Sequence, residues 1–384
     1  IIYQAVQDRA SDIHIEPEED YVRLRYRLHG VLTEVTTFDH HIYRLIASRI
    51  KLLSGLKINV KNAPQDGRFS VGIDDQDIEI RTSILPGAYG ESVVLRILDP
   101  NAIAGEMETL GIETGLFTVL MKEISKPNGL IINTGPTGSG KTTTLYAFLR
   151  RIHKPDIKII TIEDPVEYHL PGIVQTQVDG DRYTFAGGLR STLRQDPDVI
   201  MVGEIRDHEV AETAIHAALT GHLVFSTLHT NNAAGAIPRL IDIGIDRDIL
   251  GSAINAVMAQ RLVRVINPAH KQQVKLEGDR KAYVDHVLGT IVDKSLIPEN
   301  TDFVFEPEPD CEEGYIGRQG VFEAIPMTKE IEDVIKEGGG IREITLEAGK
   351  QGHLTMRQDA VVKALNGLTS LDEVQRVLGG TLEE

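Results

Sequence analysis

One stretch constrains this chain more than any other: Gly135-Pro136-Thr137-Gly138-Ser139-Gly140-Lys141-Thr142. The apolar run Gly129-Leu-Ile-Ile-Asn133 precedes it and reads as a buried strand; Thr143-Thr-Leu-Tyr-Ala-Phe-Leu-Arg150 follows and reads as a helix. The spacing fits G-x-x-x-x-G-K-[ST], which places a phosphate-binding loop at a strand-to-helix junction. The glycines let the backbone curl with its N–H groups turned towards an anion. The helix behind adds the positive end of its dipole. Lys141 supplies a point charge for the β- and γ-phosphates, and the Thr142 hydroxyl is placed to ligate Mg²⁺, with Thr143 beside it. An ordinary glycine-rich turn is the alternative, but strand before and helix after favour a nucleotide.

With 384 residues the chain is long enough for two or three domains. The net charge of −17 disfavours a protein whose main business is binding nucleic acid along its surface. The sole cysteine is Cys311, so no disulfide can form within the chain and a reducing compartment fits. No uninterrupted apolar segment reaches membrane-spanning length. The chain opens at Ile1-Ile2 without an initiator methionine or signal pattern, and a fragment lacking something N-terminal is expected.

Residues 1–100 read as one mixed α/β unit. A helix is expected over 1–10 and strands over 11–17, 21–28 and 31–35. In the second strand Val22, Leu24, Tyr26 and Leu28 alternate with Arg23, Arg25 and Arg27. Three arginines on one face can clamp phosphate, but such a face is more often simply solvated. Asp39 is a plausible N-cap for a helix with a stripe of Leu45, Ile46, Ile50, Leu52 and Leu53, ended by Gly55. Pro64-Gln-Asp-Gly67 reads as a turn, 68–73 and 77–83 as a hairpin, and 92–98 as a further strand; 99–105 breaks the pattern, and a linker is expected over 101–111. From 112 to 263 helix and strand alternate, the signature of an α/β core with a mainly parallel sheet, with strands expected over 130–133, 157–162, 199–202 and 223–226. Residues 264–325 are less regular, and 326–384 read as a helical region, including helices over 355–365 and 371–378.

Ligands of open α/β sheets sit outside the carboxyl ends of the strands, and polar clusters stand where those ends should be. In Thr161-Ile-Glu-Asp-Pro-Val-Glu167, Glu163 and Asp164 close a strand. In Asp198-Val-Ile-Met-Val-Gly-Glu-Ile-Arg206 an apolar strand leads to Glu204, as a Walker B element requires. Such an acid holds Mg²⁺ through water or orients the attacking water. Glu204 is the preferred base, though spacing leaves Glu163 open. Histidines His222 and His229 flank the next strand; His229, at its carboxyl end, can donate to a γ-phosphate, while His222 is as readily structural. Charge developing on the γ-phosphoryl oxygens calls for a guanidinium, worth roughly 10³–10⁵ in rate. Arg190, Arg194, Arg206, Arg81 and Arg96 are candidates, and spacing singles out none of them.

Together these segments resemble the secretion ATPase superfamily. The 161–167 segment looks like its Asp box, Arg194-Gln-Asp-Pro-Asp-Val-Ile-Met-Val-Gly-Glu-Ile-Arg-Asp207 like its Walker B segment, and Thr220-Gly-His-Leu-Val-Phe-Ser-Thr-Leu-His-Thr230 like its His box. With Ser11-Asp-Ile-His-Ile-Glu-Pro17 and Pro64-Gln-Asp-Gly-Arg68, the closest resemblance is to the type II secretion and type IV pilus assembly ATPases, over nearly the whole chain. The resemblance implies a RecA-like P-loop domain preceded by a smaller PAS-like α/β domain, and a homo-hexamer that hydrolyses ATP with Mg²⁺. It implies a motor, cytoplasmic and peripheral to the inner membrane, that turns an inner-membrane platform protein and works with accessory assembly proteins. It also implies that Arg81 and Arg96 reach the phosphates from the N-terminal domain, while Arg190, Arg194 and Arg206 line the other side. The N-terminal domain that docks such ATPases on their membrane partner is expected to be missing from this stretch.

One departure from the family concerns its four-cysteine zinc site. The corresponding positions here hold Asn267, His270, Glu308 and Cys311. Structural zinc sites are closed, four-coordinate and built from Cys and His, so zinc is not expected and 264–325 reads as a degenerate zinc-site subdomain. The retraction ATPases also lack zinc, but the N-terminal domain and the 314–323 segment look like the assembly type. A retraction ATPase and a nucleotide-gated scaffold without useful turnover remain the alternatives; intact Lys141, Thr142, Glu163 and Glu204 weigh against the scaffold.

Overall fold

The computed structural model describes residues 1–74, 76–98, 106–180, 182–309, 311 and 313–379. The chain divides into two compact units, Ile1–Ala104 and Gly105–Glu384. The expected break at 99–105 lies outside the described residues. Residues 106–111 are not linker: Met107 is 2% exposed and packs into the core of the second unit.

The first unit is an antiparallel sheet of β1 (Asp12–Pro17), β2 (Val22–Leu28), β3 (Val31–Phe38), β4 (Gln65–Ile73), β5 (Gln76–Pro86) and β6 (Glu91–Leu98), in the order β3-β2-β1-β6-β5-β4. Helices α1 (Ile2–Gln7) and α2 (His40–Leu53) complete it. Alternation along the strands buries Ile13, Ile15, Val22, Leu24, Tyr26, Ile80 and Leu95 on the helix-covered face. The outward arginines of β2 meet carboxylates rather than forming a clamp: Arg23 pairs with Glu18, Arg25 with Glu16 and Arg27 with Asp12. Gln65 to Gly67, expected as a turn, belong to β4 and pair with β5.

The N-cap of α2 is Asp39, which accepts from the His41 and Ile42 N–H groups at 2.7 and 2.9 Å. Gly55, at φ +70°, closes it: the Gly55 and Leu56 N–H groups bond back to the Leu52 and Lys51 carbonyls. The buried face differs from the expected stripe. It is Tyr43, Ala47, Ile50 and Lys51, whereas Leu45, Leu52 and Leu53 are exposed.

The second unit is built on seven strands: β7 (Gly129–Thr134), β8 (Ile159–Glu163), β9 (Val174–Gln177), β10 (Val199–Val202), β11 (Leu223–Leu228), β12 (Ile254–Ile266) and β15 (Tyr315–Pro326). They form one sheet in the order β15-β12-β7-β11-β10-β8-β9. A separate hairpin pairs β13 (Lys271–Lys275) with β14 (Phe303–Pro307). All neighbours in the large sheet run parallel except β15, which is antiparallel to β12. The central strands are buried on both sides, as parallel sheets with helices on each face require. Ile131, Met201 and Phe225 pack under α3 (Thr114–Ile124) and α4 (Lys141–Ile152). Leu130, Ile132, Ile200 and Val224 pack under α5 (Phe185–Thr192) and α6 (His208–Leu219).

The expected divisions at 263/264 and 325/326 do not separate domains. β12 runs through the first and β15 through the second, and the two pair along their length. Within the less regular 264–325, Tyr315 to Gly320 form the first half of β15. The helices Met356–Leu365 and Leu371–Leu378 follow, each with a side-chain N-cap, Thr355 and Ser370. Among the described residues no helix is long and apolar enough to cross a membrane.

Candidate active site

The phosphate loop leaves the carboxyl end of β7 and enters α4 through Gly140, at φ +89°. Gly135 and Gly138 also take positive φ, at +150° and +78°. No side chain caps α4, which leaves the N–H groups of its first turn to an anion. The Lys141 ammonium donates to the Gly135 and Pro136 carbonyls at 2.7 and 3.1 Å. Burial pushes it down to about 8, Glu204 raising it and Arg261 lowering it further. Ser139 is buried within the loop and, among the described residues, its hydroxyl has no hydrogen-bond partner. A glycine-curved loop, an uncapped helix start, a desolvated ammonium and an orphaned hydroxyl fit a polyphosphate. The loop is braced from below: Gln260 Oε1 accepts from Asn133 Nδ2 at 3.0 Å and Thr144 Oγ1 at 2.8 Å.

The three acid and histidine clusters meet at the carboxyl ends of adjacent strands β8, β10 and β11. Glu204, two residues beyond β10, accepts from Arg206 Nε at 2.6 Å on one oxygen, and its other oxygen lies 3.2 Å from His229 Nε2. Arg206 reaches on to Asp164 Oδ2 at 3.4 Å. The bond to Glu204 raises the Arg206 guanidinium above its usual range. A continuous polar chain, Asp164–Arg206–Glu204–His229, therefore crosses three strand ends beside the phosphate loop. Thr142 and Thr143, on the first turn of α4, are half-buried.

Glu163 lies apart from that chain. It is 2% exposed and takes three donors: Tyr146 Oη, Thr161 Oγ1 at 2.5 Å and Gln175 Nε2 at 3.2 Å. Desolvation raises its carboxyl and the three donors offset only part of this.

The other candidates are not gathered here within the second unit. Arg190 pairs with Glu209, and Arg194 donates to the Arg190 carbonyl and to Ser191 Oγ, both at 3.0 Å. His222 lies at the amino end of β11, the far end of the sheet, where its Nδ1 is 3.1 Å from the Ala217 carbonyl. Arg81 and Arg96, in the first unit, stand opposite each other on β5 and β6; Arg96 Nε bonds Asp12 Oδ1 at 3.0 Å. Where a degenerate zinc site was expected, His270 Nδ1 lies 3.2 Å from Glu308 Oε2, and Asn267 caps the turn at Ala269. Four residues at the site went unread in the sequence: Tyr146, Gln175, Gln260 and Arg261. None sits at a motif position, and only the strand order β12-β7 brings Gln260 and Arg261 to the loop.

Residues 1–376 match the family described as "Type II/IV secretion system protein". The chain belongs to this family. Over 380 residues it is 42% identical to the type II secretion system protein E of Xanthomonas campestris pv. campestris, covering 98% of this chain and 66% of that protein. With the type II secretion system protein E of Pseudomonas aeruginosa it shares 44% identity over 379 residues, covering 98% and 74%. The crystal structure of the pilus retraction motor PilT with bound ADP is similar at a TM-score of 0.64 and 27% identity, covering 98% of this chain and 95% of that one. The α/β unit built around β7 and α4 is thus the RecA-like P-loop fold of the secretion ATPases, an ATP-hydrolysing family.

Proposed function

We propose that this chain is the ATP-hydrolysing part of a motor that drives type II secretion or type IV pilus assembly. The observation that carries the reading is the chain Asp164–Arg206–Glu204–His229 laid across three strand ends beside the phosphate loop. Gly135, Pro136, Thr137, Gly138, Ser139, Gly140 and Lys141 hold the phosphates, with Thr142 and Thr143 at the head of α4. Thr142, and Glu204 through water, would hold Mg²⁺, which when bound neutralises charge on the β- and γ-oxygens. Glu204 orients and deprotonates the attacking water, with His229 and Arg206 on its two oxygens fixing the carboxylate. Arg206 also faces the developing γ-phosphoryl charge. Zinc has no part in this proposal.

Arg81 and Arg96 complete the site from the N-terminal unit in a homo-hexamer, with Arg190 and Arg194 lining the opposite side. The partners are an inner-membrane platform protein and accessory assembly proteins, at the cytoplasmic face of the inner membrane. Relatives at 42–44% identity named for type II secretion favour this direction over retraction, since the retraction motor is 27% identical. The test is ATP turnover against protein concentration, with oligomer mass read in parallel with and without ATP·Mg²⁺. Specific activity should rise as hexamers form; concentration-independent turnover by a monomer would refute the trans-acting arginines. Glu204→Gln should abolish hydrolysis and retain ATP binding, whereas retained turnover would move the base to Glu163.

A further inference from the structure

Among the described residues His229 makes one side-chain bond, to Glu204, and its side chain is 52% exposed. Burial therefore does not place it; the backbone of the loop that follows β11 must. That loop is tied at three points by side chains from three neighbouring strands. Thr230 N–H donates to Thr134 Oγ1 of β7 at 2.8 Å. The Asn231 carbonyl accepts from Arg261 Nη2 of β12 at 3.1 Å. Ala233 N–H donates to Glu323 Oε1 of β15 at 2.6 Å. The last two are charge-assisted bonds, a guanidinium on a carbonyl and a carboxylate on an N–H, and such bonds are about twice as strong as neutral ones.

Each of these two residues also reaches a second element. Arg261 Nη1 donates to the Gln260 carbonyl at 3.0 Å, and a Cβ on Gly135 would stand 3.1 Å from that nitrogen, so the guanidinium lies against the phosphate loop. Glu323 Oε2 accepts from the Met356 N–H at 3.0 Å, at the start of the helix Met356–Leu365. We propose that Arg261 and Glu323 are positioning residues of the ATP site, holding the loop over 230–234 so that His229 stands against Glu204 beside the phosphate loop. Through Glu323, the same hold ties His229 to the C-terminal helices. The inference rests on the proposed role of His229 in fixing the Glu204 carboxylate that acts at the γ-phosphate.

The test measures ATP turnover and ADP affinity for the full chain carrying Arg261→Ala, Arg261→Lys, Glu323→Ala, His229→Ala and the double variants with His229→Ala. A misplacement of about 1 Å costs on the order of 100-fold in rate. Arg261→Ala and Glu323→Ala should therefore lower kcat by about 10- to 100-fold while ADP affinity stays within about 2-fold, because ADP lacks the γ-phosphate. Arg261→Lys, which keeps a donor, should fall between wild type and Arg261→Ala. Each double variant should be no slower than His229→Ala alone, since coupled residues fail to add. Losses that multiply with His229→Ala, or ADP affinity falling with kcat, would assign the two residues to general stability and overturn the proposal. Normal turnover by His229→Ala would instead sink the reading of His229 and the inference with it. Full loss in His229→Ala with unchanged Arg261→Ala and Glu323→Ala would sink the inference alone.

Discussion

Two glutamates at the ends of parallel strands look alike in sequence and differ in surroundings. Glu204 is partly open and shares its oxygens between Arg206 and His229. Glu163 is sealed among Tyr146, Thr161 and Gln175. The Tyr146 bond holds the Glu163 carboxyl lower than burial alone would leave it. Tyr146→Phe should therefore raise that carboxyl further and strand a buried acceptor, at a cost of about 1–3 kcal/mol in stability. If Glu163 works ionised, the acid limb of the turnover profile should move to higher pH in this variant; an unmoved limb would leave Glu163 out of the rate. Lys141 gives a prediction on the alkaline side. An ammonium binds phosphate and an amine does not, so with Lys141 at about 8 ATP affinity should be full below that pH and fall as pH rises through it. Binding titrations between roughly pH 7 and 9 would show this, and a flat profile would contradict it.

At the scale of elements, the cap of α2 was easier to read than its buried face. Asp39 caps α2 as expected, and Asp39→Ala should cost about 1 kcal/mol in the unfolding free energy of the first unit. The buried face of α2 is another matter: its leucines are apolar enough for a core, yet Tyr43, Ala47 and Ile50 are the residues the sheet covers. A second element-scale test concerns the helix Leu371–Leu378, which docks on β12 through Glu373. The Glu373 side chain is 0% exposed; Arg264 bonds it at 2.8 and 3.0 Å, and Arg376 bonds it from its own helix. Burial pushes this carboxyl up, but the bonds from Arg376 and Arg264 outweigh it and hold it below the ordinary glutamate value. Its stabilisation is thus present above the unfolded-state pKa and lost as pH falls through the lowered folded value. Glu373→Ala leaves Arg264 without its carboxylate and should cost about 3 kcal/mol at neutral pH. Urea midpoints should show a smaller difference from wild type in acid; an equal difference at both pH values would exclude the ion pair as its source.

At the scale of the whole molecule, the two units have separate apolar cores. Chains built this way unfold in more than one step. Calorimetry should therefore resolve two transitions, with ATP·Mg²⁺ raising the one that belongs to the P-loop unit. At about 100 times the dissociation constant the gain is about 2.7 kcal/mol, and Lys141→Ala should remove it.

Much of this molecule was determined by local sequence. The phosphate loop declares itself because its conformation is dictated by nearby glycines and by one strand and one helix. Asp164, Glu204 and His229 were legible because strands of a parallel sheet end at the ligand side, so position along a strand already implies proximity to the loop. What the sequence left open depended on pairing over long separations. Only the strand order β15-β12-β7 brings Arg261 and Glu323 to the His229 loop, and only the packing of α4 on β8 seals Glu163 under Tyr146. Which face of α2 is buried, and that 264–325 lends the end of β12 and most of β15 to the main sheet, were likewise decided by what packs against them. Local propensity cannot encode a neighbour a hundred residues away; the tertiary fold supplies that neighbour.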